Sequence, residues 1–278
     1  MAKIITHGGQ AHRDEFLACC ILLGKEPNLI IERRNPSNEE LNSLDIYVLD
    51  VGMRYDKERK NFDHHQMGRD AEPTCALSLV LDSIGLLDSA RDIFEWFYFT
   101  EIMDSKGPYQ AARWLGIQRE KLIHVISPIE SQLLFMFGNV SRLECGDPLH
   151  QIMCGIGSNI LSYLDKVIQR IELLKQNSKL INVKGLVVLD ASFIDRDDDP
   201  ALAMEIYCRR HLNDMVAVTI IQDDRGEGLS LFRRNDNPSI DFYRLNSRSE
   251  VEFAHVNGFI AKLKKDVDPS PLIEQAIL

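Results

Sequence analysis

Four segments of the chain carry histidine and aspartate residues of the kind that bind divalent cations. They contain His7, His12 and Asp14, then Asp50, then the triplet Asp63-His64-His65, and finally Asp104. Carboxylates and imidazoles together suit cations such as Mn²⁺, Mg²⁺ and Zn²⁺. Two such cations held side by side can clamp a phosphoryl group and activate a water molecule. The conjunction of the four segments therefore predicts a hydrolytic site with two metal ions.

Each segment also has an ordinary structural explanation. His7 or His12 can cap a turn, and Asp50 can cap a helix or close an Asx-turn. Asp104 can be a hydrated loop residue, and the Asp-His-His triplet can be a chance cluster at the surface. The metal-site hypothesis rests on the combination, because at least two of the segments lie where a strand is predicted to end.

Apolar runs predict the elements that position these side chains. Residues 3–6 and 45–51 are typical of buried strands, and a helical periodicity begins at Asp14. Strands alternating with helices indicate a parallel sheet, whose ligand sites lie at the carboxyl ends of the strands. His7 and Asp50 both lie at the ends of predicted strands, so we expect them at one edge of the sheet. Asp50, on a central strand, is the expected bridging carboxylate.

The remaining periodicities predict an α/β fold with two lobes. Residues 75–137 are predominantly helical in pattern, and residues 147–174 predict one long helix, although Gly155 and Gly157 weaken that pattern. A second α/β unit begins near Val183. We expect an N-terminal parallel sheet with helices on both faces and a smaller C-terminal α/β lobe, joined by the long helix. The predicted boundaries are 1–145 for the metal-binding domain, 146–180 for the connecting helix and 181–278 for the substrate-binding domain.

Composition and charge exclude some classes of protein. Of the 278 residues, 45% are hydrophobic and 27% are charged, as in ordinary globular proteins with a core. The net charge of −10 argues against a protein that coats duplex nucleic acid, which would need a basic face. No apolar run approaches the roughly 20 residues of a membrane span, and the strand at 3–6 leaves no room for a signal peptide. We expect a cytoplasmic protein without membrane contact.

The motifs resemble those of a known superfamily. The triplet Asp63-His64-His65, preceded by Val-Leu-Asp50-Val-Gly, is similar to the signature of the DHH phosphoesterases. The string Thr-His-Gly-Gly-Gln-Ala-His-Arg-Asp-Glu at 6–15 resembles one branch, the melanocyte-proliferating-gene exonuclease family, formerly grouped as metal-dependent protein hydrolases. Phe-Ala-His255-Val-Asn-Gly-Phe-Ile resembles the closing motif of that branch. The likeness thus extends over both predicted lobes, while residues 105–250 contribute little.

The resemblance implies a set of metal ligands and a catalytic pair. One cation would be held by His7, His12 and Asp50, and the other by Asp14, Asp50, His64 and Asp104. Asp50 and His65 would be catalytic, with His65 facing the scissile phosphate. In most of the superfamily the first histidine is followed by aspartates at the fourth and sixth positions after it. Here His12 and Asp14 stand at the fifth and seventh positions, which leaves the metal identity and the role of His12 open.

The resemblance also implies the substrate and the cofactors. The expected reaction is hydrolysis of single-stranded RNA or oligonucleotide ends from the 3′ side. Two divalent cations would take part, with Mn²⁺ as the first choice and Mg²⁺ or Zn²⁺ as alternatives. The resembling motif suggests substrate contacts for His255, Asn257 and Gly258, and the pair Arg233 and Arg234 is a further candidate because arginine binds phosphate bidentately. Asn-Gly is also a tight-turn dipeptide, and arginine pairs are often hydrated surface.

Two other functions stay open at this point. The same site could hydrolyse pyrophosphate, a cyclic dinucleotide or another small phosphorylated molecule. Against the pyrophosphatase branch, Ser247-Arg248-Ser249 lacks the lysine of its Ser-Arg-Lys signature. The metals could instead stabilise a non-enzymatic binding protein, although structural metal sites are normally closed rather than open and polar.

Overall fold

A computed structural model gives the fold of residues 2–194 and 200–278. The chain divides into two compact units, the N-terminal unit Met1–Asp165 and the C-terminal unit Lys166–Leu278. Each unit contains its own six-stranded sheet. The α/β class predicted from the sequence is confirmed. Among the described residues, no helix is long and apolar enough to cross a membrane.

The N-terminal unit begins with a strand, and strands and helices alternate as far as residue 49. Its strands are β1 (Lys3–Thr6), β2 (Ile30–Arg33), β3 (Ile46–Leu49), β4 (Tyr55–Asp56), β5 (Asn61–Phe62) and β6 (Arg142–Leu143). Its helices are α1 (Arg13–Lys25), α2 (Asn38–Leu41), α3 (Ala76–Ser83), α4 (Leu87–Ile93), α5 (Glu95–Ser105), α6 (Pro108–Trp114) and α7 (Pro128–Gly138). Helix α8 (Pro148–Asn177) begins in this unit, and the boundary between the units falls within it.

The register of the first sheet brings three strand ends together. The order is β4-β5-β3-β1-β2-β6, and the pairs β5–β3, β3–β1 and β1–β2 are parallel, with antiparallel strands at the edges. Thr6 pairs with Leu49, and Leu49 pairs with Phe62. The residues that follow these three positions therefore leave the sheet at the same edge, as the sequence predicted for the first two strands.

The core explains why the first strands lie where they do. Ile4, Ile5, Val48 and Leu49 are fully buried, and the two central strands are too apolar to tolerate an exposed face. Burial of apolar surface stabilises this sheet by ~25 cal/mol per Å². The polar side chains at its edge are thus attached to a fixed support.

Glycine allows α1 and α8 to approach closely. A Cβ atom added at Gly157 would lie 1.7 Å from the carbonyl oxygen of Cys20, and one added at Gly24 would lie 2.6 Å from the backbone of Gly157. The glycines in the long helical pattern do not interrupt α8, which is continuous over Pro148–Asn177. Gly157 is therefore a packing requirement rather than a helix end.

The C-terminal unit has a mostly antiparallel sheet. Its elements are β7 (Lys179–Val183), β8 (Leu186–Asp190), α9 (Pro200–His211), β9 (Val216–Gln222), β10 (Leu229–Arg233), β11 (Val251–Ala254), β12 (Ile260–Leu263) and α10 (Ser270–Ala276). The strand order is β11-β12-β10-β9-β8-β7, in which β8 and β9 pair in parallel and the other pairs are antiparallel. Val218, Ile220, Leu231 and Phe242 are fully buried in its core.

Candidate metal centre

The candidate ligands come from three strand ends and two helices of the N-terminal unit. His7 follows β1, Asp50 follows β3, the triplet Asp63-His64-His65 follows β5, His12 and Asp14 lie at the start of α1, and Asp104 lies near the end of α5. Three groups could each hold a cation, because one ligand atom of every member lies within 4.8 Å of the others. The groups are His7, His12 and Asp50; Asp50, His64 and His65; and Asp14, Asp50, His64 and Asp104. The structure thus brings together all six residues that the sequence predicted as ligands, while their role as ligands stays a prediction.

The two carboxylate oxygens of Asp50 point to different histidines. Its Oδ2 lies 3.4 Å from Nε2 of His7, and its Oδ1 lies 3.3 Å from Nε2 of His64. Each oxygen therefore faces a different imidazole. The backbone of Asp50 adopts a φ of +54°, which is uncommon for a residue other than glycine and costs of order 1–3 kcal/mol. Strain of this kind persists where the surrounding structure over-determines the conformation, as the paired strand ends do here.

Several buried polar atoms at this edge have no hydrogen-bond partner among the described residues. They are Nε2 of His7, Oδ1 of Asp14, both carboxylate oxygens of Asp50, Nε2 of His64 and Oδ2 of Asp104. Nε2 of His64 lies 2.7 Å from Oδ2 of Asp104, yet the two atoms are not aligned as a hydrogen bond. Buried polar groups normally have a hydrogen-bond partner. Imidazole nitrogens and carboxylate oxygens that converge in this way fit the ligand set of a divalent cation.

Neighbouring carboxylates raise the pKa values of two histidines in this cluster. Proximity to Asp50 and Glu15 raises the pKa of His7 to about 11. Burial lowers the pKa of His64, but Asp104 and Asp50 outweigh it and raise the value to about 10. Without metal, both imidazoles are therefore doubly protonated at neutral pH, and their positive charges offset the negative charges of the carboxylates. A bound cation would take the place of these protons.

The two aspartates respond to the same surroundings in opposite directions. Burial raises the pKa of Asp14 well above its usual range, and the charges of Asp50 and Asp104 raise it further. For Asp50, burial also acts to raise the pKa, but contacts with His64 and His7 outweigh it and lower the value to about 2. Asp50 is thus the carboxylate that stays ionised throughout the neutral range.

Glu15 and Arg33 form a buried support that was not predicted from the sequence. Oε1 of Glu15 lies 3.1 Å from Nε2 of His7, accepts a hydrogen bond from the backbone N–H of His12 at 3.0 Å and pairs with Arg33 at 3.1 Å. Arg33 also donates to the carbonyl oxygen of Gly9 at 2.9 Å. The pair fixes the turn that carries His7. The sequence did contain a signal for Glu15, since a glutamate three residues after a helix N-cap, here His12, is typical of a capping box.

His65 is held by the first residue of its own triplet. Its Nδ1 lies 2.7 Å from Oδ1 of Asp63, whose carboxylate also accepts the backbone N–H of Met53 at 2.7 Å and that of His65 at 2.9 Å. Asp63 is buried, whereas the side chain of His65 is 53% exposed. Asp63 therefore fixes the ring and leaves the other ring nitrogen of His65 for a ligand.

The predicted substrate residues of the C-terminal unit lie in and near one turn. His255, Asn257 and Gly258 connect β11 to β12, where the N–H of Gly258 donates to the carbonyl of His255 at 2.8 Å. Gly258 has a φ of +67°, and a Cβ there would lie 2.0 Å from Oδ1 of Asp241, so the position requires glycine. The tight turn considered for Asn-Gly is therefore present, and contact with substrate stays a prediction.

The two arginines near this turn differ in their surroundings. Arg233 donates to the carbonyl of Ile240 at 2.9 Å and pairs with the exposed carboxylate of Asp236. Arg234 is buried and pairs with Glu205 at 2.7 Å and with Asp214 at 3.3 Å. These contacts occupy the terminal guanidinium nitrogens of Arg234 within its own unit.

Comparison with known proteins gives matches to the N-terminal part of the sequence. Residues 3–87 match the MYG1 exonuclease family model, described as Uncharacterised protein family (UPF0160). The MYG1 protein of Chlamydia trachomatis serovar D is 38% identical over 95 residues, which cover 33% of this chain and 32% of the relative. The MYG1 exonuclease of Homo sapiens is 46% identical over 67 residues, which cover 23% of this chain and 17% of the relative. The chain thus spans about a third or less of the length of these curated relatives.

Solved structures give only weak likenesses. The pGpG-specific phosphodiesterase PggH from Vibrio cholerae is 15% identical, with 99% of this chain and 97% of that chain covered and a TM-score of 0.29. RecJ from Thermus thermophilus, in complex with Mg²⁺, is 14% identical, with 98% and 48% covered and a TM-score of 0.29. TM-scores this low support no argument about function. The sequence match does include His7, His12, Asp14, Asp50 and the triplet 63–65. The resemblance to the MYG1 exonuclease family is therefore confirmed over residues 3–87 of the chain.

Proposed function

We propose that the protein is a metal-dependent phosphodiesterase, and that it acts as a 3′–5′ exonuclease on single-stranded RNA or short oligonucleotides with two divalent cations, Mn²⁺ first. The observation that supports this most is Asp50, whose two buried oxygens face His7 and His64 separately and have no hydrogen-bond donor among the described residues. A carboxylate in that position suits a pair of cations about 3.5–4 Å apart. The relatives named exonuclease support the choice of a nucleic-acid substrate.

Most of the side chains would bind the cations, and one would contact the substrate. His7, His12 and Asp50 would hold one cation, and Asp14, Asp50, His64 and Asp104 the other. When bound, the cations would supply the positive charge that clamps the phosphoryl group and activates the attacking water. His65, fixed through Asp63, would contact the phosphate and give a proton to the leaving oxygen as the P–O bond breaks.

The domain roles and the location of the protein are proposals of the same kind. Residues 1–145 would carry out the reaction, 146–180 would connect, and 181–278 would bind substrate through His255, Asn257, Gly258, Arg233 and Arg234. The separate sheet of the C-terminal unit supports a domain of its own there. The cytoplasmic location expected from the sequence stays a prediction.

A labelled-oligonucleotide assay tests the proposed function. Purified protein with Mn²⁺ is incubated with RNA and DNA oligomers labelled at either end, and with pyrophosphate and a cyclic dinucleotide. Release of mononucleotides from the 3′ end of RNA is expected, and Asp50→Asn should abolish it while the exposed-residue control Asp88→Asn retains it. Absence of release by the wild type would contradict the proposal, and release of phosphate from the small molecules alone would favour a small-molecule phosphohydrolase.

Chelation separates the enzyme from a metal-stabilised binding protein. Under the proposal, EDTA should stop hydrolysis with a modest fall in melting temperature, because the apolar sheet supports the site independently of the metals. Unfolding on chelation would favour a structural role for the cations instead.

A further inference from the structure

One cleft of the N-terminal unit leads from the metal centre along two basic side chains. It has a volume of about 810 Å³ and is lined by the loop 64–74 on one side and by residues of α6 on the other. His65 and Asp104 also line it, so a ligand in this cleft would lie beside the reacting phosphate. We call it the arginine cleft, after Arg69 in the loop and Arg113 in α6.

The guanidinium groups of the two arginines in this cleft are not paired with a carboxylate of the described residues. Arg69 and Arg113 are exposed, and neither guanidinium forms an ion pair or hydrogen bond within residues 2–194 and 200–278. Asp70 and Glu72 line the same cleft without pairing to them. Several other arginines of this unit do pair: Arg34, Arg54, Arg91 and Arg142 each contact a carboxylate. In a chain with a net charge of −10, two arginines in one cleft whose guanidinium groups are left unpaired among the described residues suit an anionic ligand.

The walls of the arginine cleft are held in place. The ammonium group of Lys106 donates to the carbonyl oxygen of Arg69 at 2.8 Å and to that of Ala71 at 2.5 Å, which ties the loop to the end of α5. On the other wall, Trp114 ends α6 and meets Tyr98 edge-on at 5.5 Å between ring centroids. Trp114 is 47% exposed, so part of its indole is available to a ligand.

A different cleft of the same unit has the opposite character. Its volume is about 930 Å³, it also includes Asp104, and its lining contains Phe99, Leu134 and Phe135. Its arginine, Arg13, is already bound to Glu130 by two hydrogen bonds of 2.5 and 2.7 Å. Of these two clefts, the arginine cleft is the one suited to a polyanion.

We propose that the arginine cleft binds the nucleotide next to the scissile bond, with Arg69 and Arg113 on its phosphate and Trp114 stacked on its base. This inference rests on the proposed phosphodiesterase function and adds to it a binding site for the neighbouring nucleotide, which requires a substrate of at least two phosphates with a base attached. Guanidinium groups match phosphate oxygens bidentately, and an exposed indole stacks on a base regardless of its identity.

Kinetics with two substrates test the inference. Arg69→Gln, Arg113→Gln and Trp114→Ala are compared on bis(p-nitrophenyl) phosphate, which has a single phosphate, and on a pentaribonucleotide. Each arginine variant should raise the KM for the pentanucleotide about tenfold, because a hydrogen bond to a charged group is lost. The small diester should be hydrolysed at the wild-type rate. Arg119→Gln, an exposed arginine outside both clefts, is the matched control and should change neither substrate.

Direct binding separates this inference from the proposed function. Binding of a phosphorothioate pentanucleotide that resists hydrolysis is followed by fluorescence anisotropy at several salt concentrations. Each arginine variant should make the negative slope of log K against log salt less steep by about 0.7, the value for one phosphate contact on a single strand. Unchanged affinity and slope would overturn the cleft assignment even if the enzyme hydrolyses RNA. Wild-type protein that hydrolyses no phosphodiester would overturn the proposed function, while the binding result would still decide the cleft.

Competition with tripolyphosphate tests the base. If the ligand is a nucleotide, Trp114→Ala should weaken pentanucleotide binding about tenfold or more and leave tripolyphosphate competition unchanged. Equal effects of the arginine variants on both ligands, with no effect of Trp114→Ala, would overturn the nucleotide assignment in favour of a bare polyphosphate.

Discussion

Two buried aspartate sites, one in each unit of the protein, differ in how their charge is offset. In the C-terminal unit, the buried carboxylate of Asp223 accepts a hydrogen bond from Ser230 at 3.0 Å and forms an ion pair with Lys262. In the N-terminal unit, both oxygens of Asp50 and one oxygen of Asp14 are buried without a donor among the described residues. A buried carboxylate without any counter-charge would cost several kcal/mol, so both carboxylates must be offset, and they are offset in different ways.

The difference distinguishes charges that stabilise the fold from charges reserved for a ligand. Asp223 is neutralised by its own chain, which makes it part of the structure. Asp50 is offset, without metal, only by the protons on His7 and His64. Such protons are exchangeable for a cation, whereas a lysine side chain packed in a sheet is not. Each prediction below removes a charge from one of the two units or tests what replaces it.

The largest effect is expected for Asp50→Asn. Asparagine tolerates the left-handed backbone and keeps the volume, but it removes the negative charge that faces both imidazoles. Hydrolysis should fall about a thousandfold or more, and fewer metal ions should bind per chain. Activity assays and metal analysis after gel filtration measure both. Full metal occupancy in this variant would contradict the bridging role.

Metal binding should be strongly dependent on pH. His7 and His64, with pKa values raised to about 11 and about 10, must lose their protons, and Asp14, whose pKa burial raises, can lose another. About two to three protons should be released per chain at pH 7.5, so affinity should weaken about 100-fold or more for each pH unit lowered. Calorimetry in buffers of different ionisation enthalpy counts these protons. Release of less than one proton would show that the imidazoles are neutral without metal.

A smaller effect is expected for Glu15→Gln. Glutamine can still accept hydrogen bonds, but its neutral side chain no longer attracts the His7 proton or pairs with Arg33. Metal affinity should fall about 10- to 100-fold, as is common when the residue that orients a metal ligand is changed. Titration with Mn²⁺ measures the affinity, with the exposed Glu39→Gln as control. Wild-type affinity would mean that the turn is held without the charge of Glu15.

The smallest effect is expected in the other unit. Asp223→Asn should lower the free energy of unfolding by about 1–2 kcal/mol, because Lys262 loses its buried partner. Activity and metal content of the folded protein should not change. Urea unfolding measures the stability, and Glu227→Gln, which alters an exposed pair with Lys265, is the control. A loss of metal from Asp223→Asn would remove the distinction between the two units.

Periodicity predicted the elements that carry most of the candidate site. The strand expected at residues 3–6 is observed as Lys3–Thr6, and the run at 45–51 contains Ile46–Leu49. Both runs are apolar on both faces, which is the pattern of central parallel strands. The pairing of His7 with Asp50 at one sheet edge follows from these two strands alone.

Shorter elements gave no pattern to detect. The strand Asn61–Phe62 has two residues, too few to show a period, yet it places the triplet beside Asp50 by pairing Phe62 with Leu49. Its position depends on hydrogen bonds from a neighbouring strand rather than on its own residues. The antiparallel order of the second sheet was also unpredicted, because alternating helices and strands do not by themselves fix strand direction.

By itself, the sequence determined which residues could act on a metal. The spacing of His7, His12, Asp14, Asp50 and the triplet at 63–65 predicted a metal site, since only a few side chains bind cations and strand ends collect them. Only the tertiary structure decided how these side chains share their charge. Three findings depend on distances between residues far apart in sequence, and local patterns contain no such distances. They are the division of the Asp50 oxygens between two imidazoles, the support of the turn by Glu15 and Arg33, and, within the described residues, the unpaired guanidinium groups of Arg69 and Arg113 beside Trp114.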